Sequence, residues 1–229
     1  MMRADRFLSD DDKSAVEEAI EEAERRTAAE IVCAVATESD RYDRGESLAG
    51  LGFGLVMLGV LYGLYGGLLA DRGSWDATPE VPFMWAIAAV VGGFLVGSVV
   101  ASYWHGLRRM LVSPEHLTSA VERAAWRLFG MKKIRSTEQR AGLLIYVSLF
   151  ERRVSVLADD AALEVLGEDG IEHLKQTAVE HLVEGHTAQT FIDTVTEAAD
   201  RLADDIPPGE ANPDELADRV LVFHPRIDG

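Results

Sequence analysis

"GLLIYVSLFERRVSVLADD", residues 142–160, reads as two β-strands joined by a tight charged corner, the second running straight into a pair of carboxylates. Gly142 to Phe150 and Arg153 to Ala158 supply the strands, with Glu151 and Arg152 at the corner. "LLIYV" is apolar at every position, so this strand needs cover on both faces. "EIVCAVATE", residues 30–38, has the same character, being short and rich in small and β-branched residues. Cys33, the only cysteine, reads as a small buried strand residue, and no internal disulfide can form.

Helical patterns flank these strands. Ser9 with Asp12 three residues later has the form of a capping box, and Val16, Ala19, Ile20 and Ala23 make one apolar face, predicting a helix over 10–27. Ser113 as N-cap, Pro114 at the first helical position and Gly130 beyond the end bracket a second helix. Its core face is Leu117, Ala120, Val121, Ala124 and Leu128. Ile171, Leu174, Ala178 and Leu182 align on a third helix that stops at Gly185. Phe191, Ile192, Val195, Ala199 and Leu202 align on a fourth, with Thr187 as N-cap.

Between the first strand and the second helix lie two uncharged stretches, about 48–70 and 81–104, each long enough to cross a hydrocarbon layer of about 30 Å. The short connector "DRGSWDATPE" (71–80) makes them an antiparallel hairpin, so both flanking segments fall on one side. With 47 residues of acidic, folded-looking chain before it, the first span does not read as a cleavable leader. Gly59, Gly63 and Gly67, and Ala89, Gly93, Gly97 and Ala101, give each span a smooth face for close approach within the hairpin or between copies. Trp75, Trp85, Tyr103 and Trp104 suit interfacial positions. Arg41 and Arg44 precede the spans and Arg108, Arg109 and Arg123 follow them, against Arg72 alone in the connector. The charge rule therefore orients both termini, and the soluble part, toward the cytoplasm, in an inner (cytoplasmic) membrane.

The expected architecture is an α/β/α sandwich with a small mixed sheet, interrupted by a two-helix transmembrane hairpin. Residues 7–40 and 113–205 would form a single split domain, because the first strand is too short and apolar to stand alone. Residues 206–229 form a tail with a Pro-rich break, a short helix after Asn212, and an apolar "VLVF" that reads as an added edge strand or a partner-binding peptide.

The formal charge of −17 lies outside the spans, with fourteen acids against seven bases in residues 1–47 and twenty-two against fourteen in 105–229. Nucleic acid is a poor partner for such surfaces. Anionic lipid is repelled as well, so attachment to a bilayer must be hydrophobic.

"RAGLLIYVSLFERRVSVLADD", preceded by "AAEIVCAVA" and followed by two amphipathic helices, resembles the TPM domain family over residues 7–40 and 113–205. The most specific part is Gly142 to Asp159: a glycine-led apolar strand, a Glu-Arg-Arg corner and a valine strand ending in Asp. The resemblance implies an α/β/α sandwich tethered to a membrane. It also implies association with photosystem repair or membrane-protein complexes, and in some members acid phosphatase activity or divalent-cation binding through acids near a strand end. Where many relatives continue from the Asp into an Arg-Gly-Ile turn, this chain has "DDAALEV".

Asp159 and Asp160 read either as solvated strand-end acids capping the next turn or as oxygen ligands for Ca2+ or Mg2+, with Glu38 and Asp40 as further ligands. Adjacent side chains on extended backbone point opposite ways, so sharing one ion requires a turn. There is no P-loop and no recognisable nucleophile motif, which places metal-dependent acid phosphatase behind a binding role. Arg152 and Arg153 can grip a partner's carboxylate or pair with Glu151. His181, Glu184 and His186 in "EHLVEGH" match no zinc-protease helix pattern; Gly185 should break the helix between the last two, and they read as surface residues. The expected partners are a lipid bilayer and a membrane protein or a second copy of the chain.

Overall fold

Both apolar runs are buried along their whole length in the computed structural model, which describes residues 3–65, 81–104, 106, 109, 112–132, 141–208 and 219–227. They form β1 (Glu30–Ala36) and β2 (Gly142–Ser148), which pair in parallel with Ile31 opposite Leu143 and Val35 opposite Val147. β3 (Arg153–Ala158) returns antiparallel to β2, and β4 (Leu221–Phe223) lies parallel to β1 on its other side. The mixed sheet has the order β3-β2-β1-β4, so "VLVF" does supply an edge strand.

Alternation along the two central strands divides their side chains between two cores. Ile31, Cys33, Val35, Leu143, Ile145 and Val147 face a cluster with Val16 and Ile20 of α1 (Asp10–Glu24), Leu174 and Ala178 of α5 (Asp160–Glu184), and Phe191 and Val195 of α6 (Gln189–Leu202). Val32, Ala34, Leu144 and Tyr146 face Val121, Ala125, Leu128 and Phe129 of α4 (Pro114–Met131). Helices thus cover both faces, three on one and α4 on the other, which is the α/β/α sandwich. Cys33 is buried, and burial pushes its thiol pKa up.

Several boundaries differ from the sequence expectation, each for a local reason. The capping box forms, with the Ser9 hydroxyl accepting from the Asp12 amide at 3.1 Å and the Ser9 amide donating to the Asp12 carboxylate at 3.0 Å. α1 nevertheless ends at Glu24, and beyond it the Thr27 hydroxyl and the Ala28 amide donate to the Ile206 carbonyl at 2.7 and 3.0 Å. α4 runs through Gly130 to Met131. α5 begins at Asp160, ahead of the apolar face that starts at Ile171; Gly167, at φ 64° and ψ 175°, kinks it, a backbone conformation reserved for glycine. α6 follows Ala188, with no side-chain cap from Thr187. The connection 133–140 and the short helix expected after Asn212 lie outside the described residues.

Residues Met1–Asp40 and Glu115–Gly229 make one compact unit, and Arg41–Pro114 a second. In the second, α2 (Asp43–Leu64) and α3 (Phe83–Tyr103) are long and apolar enough to span a membrane. They pack antiparallel through glycine. A Cβ on Gly93 would lie 2.8 Å from the Gly54 Cα, and one on Gly97 would lie 2.9 Å from the Ala49 carbonyl. The α2 side of this contact is Gly50 and Gly54, not the expected Gly59 and Gly63, beside which nothing approaches within 4 Å among the described residues. The reason is helical phase: at about 100° per residue, five residues from Gly54 place Gly59 about 140° round the helix. Gly67, Trp75 and the connector with Arg72 lie outside the described residues, as does Arg108.

Candidate functional site

Three parallel strands end at one rim of the sheet, the place where open α/β folds commonly gather polar groups. The β1–β2 ladder extends past the strands, with Leu149 and Phe150 donating to the Ala36 and Thr37 carbonyls at 3.0 and 2.9 Å. This brings the β2–β3 corner against the residues that leave β1. Glu151, 1% exposed, points inward from that corner. Its Oε1 accepts from the Ser39 amide at 2.9 Å and its Oε2 from the Ser148 hydroxyl. Ser39 Oγ in turn donates to Ser148 Oγ at 2.7 Å and lies 3.0 Å from the Tyr146 hydroxyl. Burial, with the Glu151 charge, pushes the Tyr146 hydroxyl up to about 12 against hydrogen bonds from Ser39 and Ser148 that lower it.

Charged pairs surround this buried knot. Arg226, just beyond β4, donates to Glu38 Oε1 at 2.9 Å in a pair mostly shielded from water. Arg123 of α4 donates to Asp40 Oδ2 at 3.1 Å, with His116 Nε2 3.9 Å from the same oxygen. Thr37 Oγ1 bonds His224 Nδ1 at 2.8 Å and accepts from the Ala4 amide at 2.9 Å. The arrangement holds the exits of β1 and β4 and the β2–β3 corner in one polar cluster.

Arg152 sits at the tip of the corner with φ 52°, the left-handed region that few side chains adopt. It is exposed and Arg153 is partly so. Neither pairs with Glu151, whose carboxylate is turned inward to Ser39 and Ser148.

Asp159 and Asp160 lie at the opposite rim, because β3 runs against β2 and ends beside Gly142. Asp159 is 2% exposed and is the N-cap of α5. Its amide donates to the Gly142 carbonyl at 2.8 Å and its side chain accepts from the Asp160 amide at 2.7 Å. The buried Glu30 starts β1 at this same rim, in register with Gly142. Seven-residue strands separate the two rims by about 20 Å. The four acids expected to share one Ca2+ or Mg2+ therefore do not fit a single ion: Asp159 and Asp160 occupy one end of the sheet, Glu38 and Asp40 the other.

Sequence reading missed Ser39, Tyr146 and Ser148, and placed Glu151 at the corner only as a candidate pair for Arg152 or Arg153. The available signal was the alternation Leu144, Tyr146, Ser148 on one face of β2, polar only at its rim end. The inward turn of Glu151 depends on Ser39, which lies 112 residues away and cannot be read locally.

Comparison with known proteins agrees with this fold. Residues 109–201 match the family model of the TPM domain. The structure is similar to the NMR structure of BA42 protein from the psychrophilic bacteria Bizionia argentinensis sp. nov., with a TM-score of 0.56 and 16% identity over 96% of this chain and 99% of that one. No curated protein matches the chain.

Proposed function

We propose that this chain, which carries a TPM domain over residues 109–201, is a membrane-anchored binding module that organises or maintains membrane-protein complexes. The observation that carries this reading is the apolar surface left open on α2 and α3. Only 17% and 11% of their long uncharged windows is buried, whereas a core helix of a soluble protein would be mostly covered. Val56 and Val91 are exposed in mid-helix, and Trp85, Tyr103 and Trp104 are exposed at the two ends of α3, where interfacial aromatics belong. Lipid is the solvent that makes such surfaces stable.

The binding role draws on the corner of the sheet. The carboxylates around it are engaged with amides, hydroxyls and guanidinium groups of the same unit, while Arg152 and Arg153 make no ion pair among the described residues. Two adjacent guanidinium groups on a rigid corner suit a carboxylate on a partner protein. A hard cation enters this reading at one rim only, and any such role for Asp159 competes with its role as a helix cap. The bias of arginines around the spans supports a cytoplasmic position for the α/β unit.

The test uses the full chain in native membranes. It should resist alkaline extraction, and a partner that co-purifies with it should be lost in the double variant Arg152→Glu, Arg153→Glu. Release by alkali would sink the anchor, and co-purification indifferent to both charges would sink the docking corner. Ca2+- or Mg2+-dependent turnover of a phosphate ester, abolished in Asp159→Asn, would replace the binding reading with a metal-dependent phosphatase.

A further inference from the structure

Gly185 ends α5 between Glu184 and His186, as its helix-breaking character predicts, and the way it does so brings the two histidine rings together. Gly185 closes α5 in the left-handed conformation, at φ 83° and ψ 15°. Its amide donates to the Leu182 carbonyl at 3.3 Å, and the His186 amide donates to the His181 carbonyl at 2.9 Å. That pair of bonds folds the residue after the glycine back over the last helical turn, at positions where an apolar contact usually forms. Here both positions are histidines, with ring centroids 6.3 Å apart. Glu184 Oε2 lies 3.2 Å from His186 Nδ1. One ligand atom from each of the three side chains lies within 4.8 Å of the other two.

A second observation singles out His181. Its Nε2 is 2.8 Å from Asp193 Oδ2 on α6, which assigns the ring proton to Nε2 and leaves a lone pair on Nδ1. Nδ1 is buried and has no hydrogen-bond partner among the described residues. A buried acceptor without a donor is costly. An imidazole backed by a carboxylate on one nitrogen and open on the other is the usual form of a metal-ligating histidine.

We propose that His181 Nδ1, Glu184 and His186 bind one divalent transition-metal ion of the zinc class, with Asp193 orienting His181 from behind. Two imidazoles and one carboxylate favour such an ion over Ca2+ or Mg2+, which take oxygen ligands. The helix C-terminus presents its negative end to the cation. Bonds of about 2.0–2.1 Å place tetrahedral ligands about 3.3 Å apart, so the side chains must draw inward slightly. Glu184 and His186, each about 60% exposed, are free to do so. Water completes the coordination, and the ion fastens the turn between α5 and α6.

The experiment titrates the full chain, purified in detergent without a histidine tag and stripped with chelator, with Zn2+ by calorimetry and with Co2+ by visible absorption. One ion per chain is expected, with the intense visible bands of low-coordinate Co2+, and millimolar Mg2+ should not compete. His186→Gln and Glu184→Gln, both at exposed positions, should weaken Zn2+ binding tenfold or more. Asp193→Asn should weaken it about tenfold. His173→Gln, remote from the turn, should leave it unchanged. Failure of the chain to bind Zn2+, or full retention of affinity in His186→Gln, would overturn the proposal.

Discussion

Ser39 and Glu151 stand 112 residues apart in the chain and meet directly, the Ser39 amide donating to the buried carboxylate at 2.9 Å. The bond joins the segment leaving β1 to the corner between β2 and β3. Because α2 and α3 are encoded between those strands, the two halves of the sheet come together through contacts of this kind in addition to the β1–β2 ladder.

Removing the carboxylate tests that connection. Glu151→Ala leaves the Ser39 amide and the Ser148 hydroxyl without their acceptor in a buried setting, and should cost about 3 kcal/mol. Glu151→Gln keeps an acceptor and most of the volume and should cost about half as much. Thermal unfolding of the full chain in detergent checks the order. Equal stability of Glu151→Ala and the parent would show that the knot contributes nothing.

The helix hairpin gives a prediction with an internal control. A Cβ at Gly93 or Gly97 meets backbone at less than 3 Å, so Gly93→Val and Gly97→Val must push α2 and α3 apart. A Cβ at Gly59 or Gly63 meets nothing within 4 Å among the described residues, so Gly59→Val and Gly63→Val serve as controls. Cysteines introduced at Ala49 and Ser98 should report the difference: cross-linking falls several-fold in the Gly93 and Gly97 variants and persists in the other two. Equal cross-linking in all four would contradict the packing.

These contacts also mark what the sequence made legible. Continuous apolar runs at residues 30–36 and 142–148 predicted strands covered on both faces, and helix periodicity supplied the cover; these are local signals, and the sheet follows from them. Gly93 and Gly97 of α3 are in contact as expected, whereas the α2 side is Gly50 and Gly54 because spacing along one helix leaves open which stripe meets a neighbour. The candidate sites were least legible. Strand direction decides which acids share a rim, and nothing in "LADD" reveals that β3 runs antiparallel to β1. The histidine turn was visible as residues but was read through the helix-breaking effect of Gly185, when the conformation of that glycine is what closes the cluster.

Tyr146 should resist ionisation. Its hydroxyl is pushed up to about 12 by burial and by Glu151, against about 10 in an unfolded chain. A folded-state value raised above the unfolded one contributes stability that is complete below pH 10 and lost as pH rises toward 12. Stability of the parent chain should therefore fall across that window, and Tyr146→Phe should flatten this part of the profile. Ultraviolet titration showing every tyrosine ionising near pH 10 in the folded chain would refute this.

Glu197 governs the acid side. It lies on α6 and receives bonds from Thr177 Oγ1 of α5 at 2.8 Å and from Arg201 Nη2 at 2.9 Å, with His173 Nε2 2.9 Å from its Oε1. Partial burial alone would raise its pKa; the hydrogen bonds from Thr177 and Arg201 and the charges of His173 and Arg201 outweigh it and lower the value. A depressed folded-state pKa contributes stability that is present above the ordinary glutamate value of about 4.3 and is lost as pH falls through the lower folded-state value. Denaturant unfolding should therefore show stability dropping below about pH 4.3. Glu197→Gln should cost about 1 kcal/mol at neutral pH, through the lost charge-assisted bonds, and less at pH 3, where the parent has lost the same contribution. A cost that is the same at both pH values would mean that the carboxylate charge does not hold α5 and α6 together.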